Sequence, residues 1–518
     1  MIFKASMIKN NFFKFLLLIS ICALYFFSRL QNLTSIPVFC DEGIYIRWSQ
    51  IIKSEETLRF IPQTDGKQPL FMWLNAITLK FINDPLVSGR IISVFAGFGL
   101  LILLFILTAL FLNYEDKEKN IFKFIKNSFS KNFYPSILTS LIYCLIPFSF
   151  FFDRMATADN LLSFFGLLAL IFAFLLAKYP RLDLALILGF VLGLSWLTKS
   201  PAIYFVVLSI FTFIILNIRK LKLVYLPVIS SIVAFLIYNI LRLGPQFQMI
   251  ALRNKDYIWS LSEVLKHPLD PLIPHLINAF DLYFNYISIP LIIFSLAGLI
   301  FYFRSSKQEV RNWKFLILIA WWILPLIANS ALAKVFTARY VLFTLPPLII
   351  LISIGFYTLI TKIKSNLLKT ILIISVFILN INFIYNLSVN PFNQKLVSSE
   401  QGYLSDWTSG WGIKEISVYL KERAKEKNVI VGTEGYFGTL PDGLQIYTNK
   451  TSNLTIIGVG LGFSKIPSNL INAKNYGDEV YLIMNQSRLN LSQEEMNKVK
   501  IIKKYPKPNN DNLLLIQI

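Results

Sequence analysis

Two adjacent acids, Asp41 and Glu42, lie in the sequence VFCDEGIYIRW just beyond the first apolar run of the chain. A carboxylate in a partly desolvated cavity can accept the proton of an attacking hydroxyl group, which makes Asp41 a candidate general base and Glu42 a second catalytic candidate. Tyr45, on the same stretch, is a candidate substrate contact. The structural alternative for an isolated pair of acids is a solvated loop or a helix cap.

Several basic residues also fall in connections between apolar runs. A fixed cation there can neutralise a phosphate group, both when the phosphate binds and when charge develops on it as a leaving group. The candidates are Lys67 in DGKQPLFMWL, Arg154 in RMATADNLL, Lys199 in LGLSWLTKSP, and the pair Arg339 and Tyr340 in FTARYVLFTLPP. Snorkelling lysines and interfacial Arg and Tyr anchors are the structural alternatives.

A third acid, Asp159, stands in RMATADNLL at the start of a long apolar run. An acid that enters a membrane span is costly unless it faces the protein interior or a wet cavity, so Asp159 is also a catalytic candidate. N-capping of the following helix is the alternative. The two histidines, His267 and His275, are poorly spaced for a metal site, and we predict no metal ligands.

The composition of the whole chain indicates that it is a membrane protein. Of the 518 residues, 55% are apolar and 46 are Phe, which is more apolar surface than one soluble core needs. The net charge of +21 would suggest nucleic-acid binding in a soluble protein. Here most Lys and Arg lie in short segments between apolar runs, so the charge indicates membrane topology and no nucleic-acid partner.

The apolar runs predict a mainly α, polytopic membrane helix bundle. Crossing the hydrocarbon takes roughly 20 mostly apolar residues. About eleven runs fit this length, the first being a retained span because no cleavage site follows it. They lie at 11–29, 90–113, 134–152, 159–178, 182–198, 201–218, 223–241, 286–303, 315–332, 340–360 and 369–387.

Alternate connections between these runs are basic, including 114–133, 219–222, 304–314 and 361–368. The positive-inside rule therefore predicts a cytoplasmic N-terminus and an extracytoplasmic first loop, 30–89. Within that loop the apolar segment 70–82 is too short to span and suits an interfacial helix. All the candidate residues above then fall on the extracytoplasmic side.

The character of the chain changes near residue 388, where apolar runs shorten to strand length. VIVG at 429–432, LTIIGVG at 454–460, VYLIM at 480–484 and LLLIQI at 513–518 predict strands, and 413–426 has a helical pattern. We therefore predict a membrane domain over 1–388 and an extracytoplasmic α/β domain over 389–518. Trp407 and Trp411 in this domain could stack on sugars or pack at the domain junction.

These motifs, in this order and with this sidedness, resemble the GT-C glycosyltransferases. DEGIY, KQPLFMWL, GRIIS, RMATADNLLSFFGLLAL, LGLSWLTKSP and ARYVLFTLPP carry the resemblance over roughly residues 10–360. The similar branch contains the protein O-mannosyltransferases and the aminoarabinose transferase of lipid A. The resemblance implies inverting transfer of a sugar from a polyprenyl-phosphate donor, on the outer face of the cell membrane, to a lipid, glycan or protein acceptor.

Position by position, the resemblance implies roles for several of the candidates. Asp41 matches the catalytic acid of the family, with Glu42 its neighbour, and Lys67 matches a lysine near the donor phosphate. Asp159 matches a second acid in the cavity, and the Arg339 and Tyr340 pair lies near the donor. The lipid A enzyme has a metal-associated acid just before its lysine, where this chain has Gly66, so the resemblance implies no certain cofactor and leaves a divalent metal as the alternative. The C-terminal domain does not match the β-trefoil of protein mannosyltransferases, so a protein acceptor gains little support.

Two other classes of function compete with a transferase. A transporter or flippase would show ionisable residues at mid-membrane depth or paired half-repeats, whereas these spans are almost free of such charges and show no repeat. A non-catalytic scaffold would tolerate loss of Asp41 or Asp159. A polysaccharide polymerase or ligase is a neighbouring enzymatic alternative because it would share the donor lipid and the sidedness.

Overall fold

The computed structural model describes residues 2–305 and 313–518, and the side chains of 11–218, 221–304 and 313–518. Lys307 and Arg311, in the predicted basic connection 304–314, lie outside the described residues. The helices before residue 390 are α1 Ile2–Leu30, α2 Cys40–Ser54, α3 Leu70–Thr78, α4 Pro85–Leu112, α5 Ile121–Lys131, α6 Phe133–Leu145, α7 Pro147–Phe152, α8 Ala158–Lys178, α9 Leu182–Thr198, α10 Ile203–Leu216, α11 Tyr225–Tyr238, α12 Gln248–Tyr257, α13 Leu261–Lys266, α14 Leu272–Tyr283, α15 Ile289–Ser305, α16 Trp313–Leu332, α17 Leu345–Lys362 and α18 Asn366–Val389.

The chain is a multi-pass membrane protein built as a helix bundle, as the sequence predicts. Within the described ranges, eight helical stretches are long and apolar enough to cross a membrane: Asn11–Leu30, Pro85–Leu112, Ala158–Lys178, Leu221–Leu243, Leu272–Arg304, Trp313–Leu332, Leu342–Lys362 and Asn366–Val389. Shorter apolar helices at Phe133–Leu145, Leu182–Thr198 and Ser200–Leu216 coincide with the other predicted spans. The count of eleven spans stays a prediction because these three fall below the usual spanning length.

The first loop of the bundle is largely helical. It contains α2, which begins with the Asp41 segment, and the short α3, which coincides with the apolar segment predicted to lie at the interface. α4 then begins at Pro85, where Asp84 accepts hydrogen bonds from the backbone N–H groups of Leu86 and Val87. The loop therefore forms a folded layer against one end of the bundle.

The C-terminal region is an α/β unit, as predicted. Its elements are α19 Ile413–Arg423, β1 Val429–Glu434, α20 Asp442–Thr448, β2 Leu454–Gly460, α21 Ser468–Asn475, β3 Glu479–Asn485, α22 Gln493–Met496, β4 Lys500–Pro506 and β5 Asn512–Gln517. The sheet order is β2-β1-β3-β5-β4, with β1 parallel to both its neighbours and β5 antiparallel to both of its own. The prediction missed β4, an edge strand whose lysines hide the apolar signal and discourage edge pairing.

This α/β unit packs directly on the helix that carries Asp41. The backbone N–H of Cys40 donates to the carbonyl of Thr408 over 3.0 Å. Gly43 of α2 approaches the backbone of Gly443 in α20 so closely that a side-chain carbon on Gly43 would lie 3.0 Å from its nitrogen. The two glycines thus allow the helices to touch, and the C-terminal unit forms one wall of the region around Asp41.

A buried ion pair fixes the start of α2. Arg90 of α4 binds Glu42 through two hydrogen bonds, Nε to Oε1 over 2.8 Å and Nη2 to Oε2 over 2.7 Å, and both side chains are fully buried. The same carboxylate accepts the N–H groups of Ala156 over 2.6 Å and Phe39 over 3.0 Å. Three of these four bonds connect the first loop to α4 and to the segment before α8, and the bond from Phe39 caps the start of α2.

The rest of the Arg90 guanidinium is also occupied. It donates to the backbone carbonyls of Leu33, Ile36 and Pro37 over 2.7 to 3.0 Å. A second buried pair, Arg29 with Asp153 at 3.1 Å, ties α1 to the same segment before α8. Each of these two buried arginines therefore has a carboxylate as its counter-charge.

Removing the Glu42 carboxylate should destabilise the fold strongly. We expect Glu42→Ala to cost about 3–5 kcal/mol, because it leaves the Arg90 guanidinium buried without its counter-charge. Thermal unfolding of the purified protein in nanodiscs measures the change. Glu422→Ala, which removes an exposed acid paired with Lys425, is the control and should leave the unfolding temperature unchanged. Equal unfolding temperatures for Glu42→Ala and the wild type would contradict the structural role.

Candidate active site

Asp41 stands in the first turn of α2 and faces away from the buried position of Glu42. Its Oδ2 accepts a very short hydrogen bond from Nη1 of Arg339, which lies in the connection between α16 and α17. The Asp41 side chain keeps 30% exposure and that of Arg339 keeps 14%, whereas Glu42 is fully buried. Asp41 is therefore partly accessible to solvent, and Glu42 is not.

The electrostatics of Asp41 are set by cations from three parts of the chain. Burial alone would raise the pKa of this carboxyl, but the charge and hydrogen bond of Arg339, with the charges of Lys67 and Lys199, hold its pKa below the ordinary value. Asp41 is thus ionised at neutral pH. It is also partly neutralised, which weakens it as a base while Arg339 stays bound.

A second ion pair, Lys199 with Asp159, lies in the same region. Lys199 Nζ donates to Oδ1 of Asp159 over 2.6 Å and lies 5.3 Å from the centre of the Tyr340 ring. Burial, together with the charges of Arg339 and Lys67, lowers the pKa of Lys199 despite the carboxylate beside it. N-capping does not explain Asp159, because Thr157 occupies the N-cap position of α8. The four predicted residues Asp159, Lys199, Arg339 and Tyr340 are therefore brought together.

Lys67 is the most loosely held cation of the cluster. Its Nζ lies 3.4 Å from the hydroxyl of Tyr257 and 3.9 Å from Oδ2 of Asp65. Asp65 binds Arg253 more closely, through contacts of 2.9 and 2.5 Å. Lys67 keeps 29% exposure, so its ammonium group is available to an incoming anion.

Tyr45 forms part of the wall next to Asp41. It is largely buried, and its ring stacks on Trp48 with a centroid distance of 6.0 Å. Burial, followed by the negative charge of Asp41, raises the pKa of its hydroxyl well above the usual value. Tyr45 therefore stays protonated and presents a neutral hydroxyl beside the acid.

Two of the predicted residues have other partners. Glu42, predicted as catalytic, acts as a helix cap and as the partner of Arg90, so the geometry gives it a structural role. Arg154, predicted to hold phosphate, is buried and donates to the carbonyl of Asn32 over 2.5 Å and to the hydroxyl groups of Ser35 and Ser388. These contacts join Arg154 to the first loop and to the end of α18, and they do not include Asp41, Asp159, Lys67, Lys199 or Arg339.

Glu400 is a residue that sequence reasoning missed. Its side chain is 3% exposed, and its Oε1 accepts the backbone N–H of Ala338 over 2.8 Å, next to Arg339. Its Oε2 and the Nε of Arg339 are both buried and have no hydrogen-bond partner among the residues that the structure describes. Burial raises the pKa of Glu400 to about 7. No sequence signal marks it, because VSSEQGY has no periodicity and lies far along the chain from Arg339.

The described residues contain no group of three or more His, Cys, Asp or Glu side chains arranged to hold a metal ion. His275, considered at the sequence level, stacks on Phe336 at 4.7 Å between ring centres, and its Nδ1 lies 2.9 Å from the carbonyl of Ser330. These are packing contacts within the helical region between α14 and α16.

No protein-family model and no curated protein sequence matches the chain. Among solved structures, ArnT from Cupriavidus metallidurans in the apo state superimposes with a TM-score of 0.58 at 12% identity, covering 98% of both chains. The chain has the GT-C fold. The similarity runs through the membrane bundle and the C-terminal unit alike, so the whole chain shares the ArnT architecture.

Two further structures are similar. ArnT from the same organism bound to undecaprenyl phosphate gives a TM-score of 0.57 at 12% identity, covering 96% of this chain and 97% of that one. The Pmt1-Pmt2 protein O-mannosyltransferase complex of S. cerevisiae, bound to its sugar donor, gives 0.32 at 17% identity over 46% of this chain and 34% of that one. The TM-score of 0.32 carries no argument about the fold of this chain.

The raised pKa of Glu400 predicts a pH-dependent stability. A carboxyl whose pKa moves from 4.5 in the unfolded chain to about 7 in the fold binds its proton more tightly when folded. As the pH rises from 4.5 to 7, the free energy of unfolding of the wild type should therefore fall by about 3 kcal/mol relative to a chain with no titrating group at this position. Glu400→Gln can still accept the Ala338 N–H but cannot lose a proton.

The comparison is the thermal unfolding of wild type and Glu400→Gln between pH 5 and pH 8. The difference in unfolding temperature should shift in favour of Glu400→Gln as the pH rises and level off above pH 7. Glu426→Gln, at an exposed acid, is the control and should show no such trend. A constant difference between wild type and Glu400→Gln would show that Glu400 does not titrate in this range.

Proposed function

We propose that the chain is an inverting glycosyltransferase that moves a sugar from a polyprenyl-phosphate donor to an extracytoplasmic acceptor. The observation that carries the proposal is the cluster of Asp41, Asp159, Lys67, Lys199 and Arg339 on a GT-C fold. The acid nearest to Lys67 there is Asp65, whose carboxylate is bound more closely by Arg253, so the ammonium group of Lys67 is left for an incoming phosphate. An ArnT structure with undecaprenyl phosphate bound supports a lipid phosphate as the anion.

In the proposed reaction the donor phosphate approaches Lys67 and draws Arg339 away from Asp41. Losing the contact with Arg339 raises the pKa of Asp41, which then accepts the proton of the acceptor hydroxyl more readily. The hydroxyl oxygen attacks the anomeric carbon from the face opposite the phosphate. The bond from that carbon to the phosphate oxygen breaks, and Lys67 and Arg339 neutralise the charge left on the lipid phosphate.

Asp159 and Lys199 serve this reaction as a fixed pair. Their contact at 2.6 Å holds Lys199 over the ring of Tyr340, next to Arg339 in the chain. In this role Asp159 orients Lys199 toward the phosphate or receives a hydrogen bond from the acceptor. Tyr45 contributes a neutral hydroxyl beside Asp41, suited to a substrate oxygen.

We place the N-terminus in the cytoplasm, and the cavity and residues 389–518 outside the plasma membrane. The contact between α2 and α20 supports this arrangement, because it requires the first loop and the C-terminal unit to lie on the same side. The basic connections predicted at the opposite ends of the spans agree with it. A cell-envelope lipid, a glycan or a protein on that side would serve as acceptor.

Loss of the base should abolish transfer. We expect Asp41→Asn to lower the rate at least roughly 100-fold, the usual contribution of a general base. The assay follows radiolabelled sugar passing from polyprenyl-phosphate donors to endogenous acceptors in membranes with equal protein abundance. Asp270→Asn, at an exposed acid in the loop between α13 and α14, should retain wild-type transfer. Equal transfer by Asp41→Asn and the wild type would remove Asp41 as the base.

Lys67 should matter for the phosphate and not for the lipid tail. We expect Lys67→Ala to weaken binding of undecaprenyl phosphate about tenfold, the effect of losing one charge-assisted contact. Binding of undecaprenol, which lacks the phosphate, should not change. Lys80→Ala, at an exposed lysine just after α3, is the matched control. Unchanged phosphate binding in Lys67→Ala would exclude Lys67 from the donor site.

A further inference from the structure

A polar groove lies between α15 and α18, apart from the Asp41 cluster. Its volume is about 440 Å³, and it is lined on its polar side by the carboxamides of Asn285, Asn382, Asn386 and Gln394. The rings of Phe284 and Phe383 form part of its apolar side. None of the residues that line it carries a charge. We call it the carboxamide groove.

The groove forms where the helix between α14 and α15 is irregular. Residues Phe284–Ser288 make one π-helical turn, and Ser288 has a φ of +96°, a backbone conformation that side-chain-bearing residues rarely adopt. α18 is fastened to this turn, since Asn380 Nδ2 donates to the carbonyl of Ile287 and Ser288 Oγ to that of Val376, each over 3.2 Å. Such turns and such strain occur preferentially at functional sites.

The carboxamides lie in apolar surroundings. On α18 the neighbouring Leu379, Ile381 and Tyr385 expose more than half of their side chains, as expected of a surface that meets lipid. Within the described part of the chain, the amide groups of Asn382 and Asn386 form no side-chain hydrogen bond, whereas those of Asn285 and Gln394 donate to Asp281 and to the carbonyl of Lys395. Polar groups in a membrane span are costly unless something satisfies them, so the groove favours a hydrogen-bonding occupant.

The uncharged carboxamide and aromatic side chains that line the groove indicate what kind of ligand it would bind. A carboxamide both donates and accepts hydrogen bonds, as sugar hydroxyl groups do, and aromatic rings suit the apolar faces of a sugar. A phosphate would need cations, and these are at Lys67, Lys199 and Arg339 instead. We propose that the carboxamide groove binds the uncharged sugar head group of a lipid in the outer leaflet. Its assignment as the acceptor lipid rests on the proposed function.

The groove is also connected to the Asp41 cluster through one segment of chain. Gln394 lines the groove, and three residues later the N–H of Val397 donates to the hydroxyl of Tyr286, within the π-helical turn, over 3.0 Å. Three residues further on, Glu400 holds the backbone next to Arg339. A head group in the groove would therefore lie against the segment that supports the proposed phosphate site.

Photolabelling of the full-length protein in nanodiscs tests the proposal. The sugar probe is an octyl glucoside with a diazirine in its alkyl chain, and the comparison probe carries the same chain on a phosphocholine head group. We expect the glucoside to label peptides within 284–290 and 379–394 and the phosphocholine probe to label them at least several-fold less. Equal labelling by both probes would mean a general lipid groove and overturn the proposal.

The variants locate the site. Asn382→Leu/Asn386→Leu should reduce glucoside labelling about tenfold, through loss of two hydrogen-bonding groups. Asn366→Leu, at the opposite end of α18, is the matched control and should label like the wild type. Asn285→Leu, on the facing side of the groove, should also reduce labelling. Agreement between the two variants would show that the loss does not come from misfolding of one of them. Unchanged labelling in both groove variants would overturn the proposal.

The readout separates this inference from the proposed function, because labelling needs no turnover. If Asp41→Asn keeps full transfer while glucoside labelling depends on the carboxamides, the transferase mechanism fails and the sugar site stands. If transfer depends on Asp41 but the groove shows no preference for glucoside, the groove proposal alone fails.

Discussion

The buried pair of Glu42 and Arg90 is the interaction on which the rest of this site depends. Asp41 and Glu42 are consecutive residues of one helix, so their side chains point about 100° apart. Holding Glu42 inside by four hydrogen bonds therefore directs Asp41 toward Arg339 and the partly exposed side of α2. The same contacts attach the first loop to α4 and to Ala156 in the segment before α8, the helix that carries Asp159. One desolvated ion pair thus sets the position of both candidate acids.

The membrane makes such pairing necessary. Burying a charge in a region of low dielectric is costly unless it is paired or hydrogen-bonded, and this end of the bundle has four ion pairs: Arg29 with Asp153, Arg90 with Glu42, Lys199 with Asp159, and Arg339 with Asp41. The first two are fully buried and satisfied. Lys199 with Asp159 and Arg339 with Asp41 retain exposure, and these are the pairs to which the proposed function assigns contact with a substrate.

Much of the fold was predictable, because hydrophobic length and charge asymmetry are local signals. The bundle, the short α3 and the α/β character of the C-terminal unit followed from them. The site was predictable in part, since Asp41, Lys67, Asp159, Lys199 and Arg339 fall in recognisable motifs on one predicted side. Which of two adjacent acids turns inward depends on Arg90, 48 residues away in sequence. The contacts of Glu400, Asp65 and Arg154 also join residues far apart in sequence, and no periodic pattern in the sequence predicts them.

The contact between Arg339 and Asp41 has a consequence for the sequence of events at the site. While the guanidinium occupies the carboxylate, a water molecule or an acceptor that arrives alone meets a base already engaged. Only an anion has the charge to draw Arg339 away, and the donor brings that anion. Under the proposed mechanism the ion pair therefore imposes an order, donor before acceptor, because Asp41 is released from Arg339 only after the donor phosphate has bound.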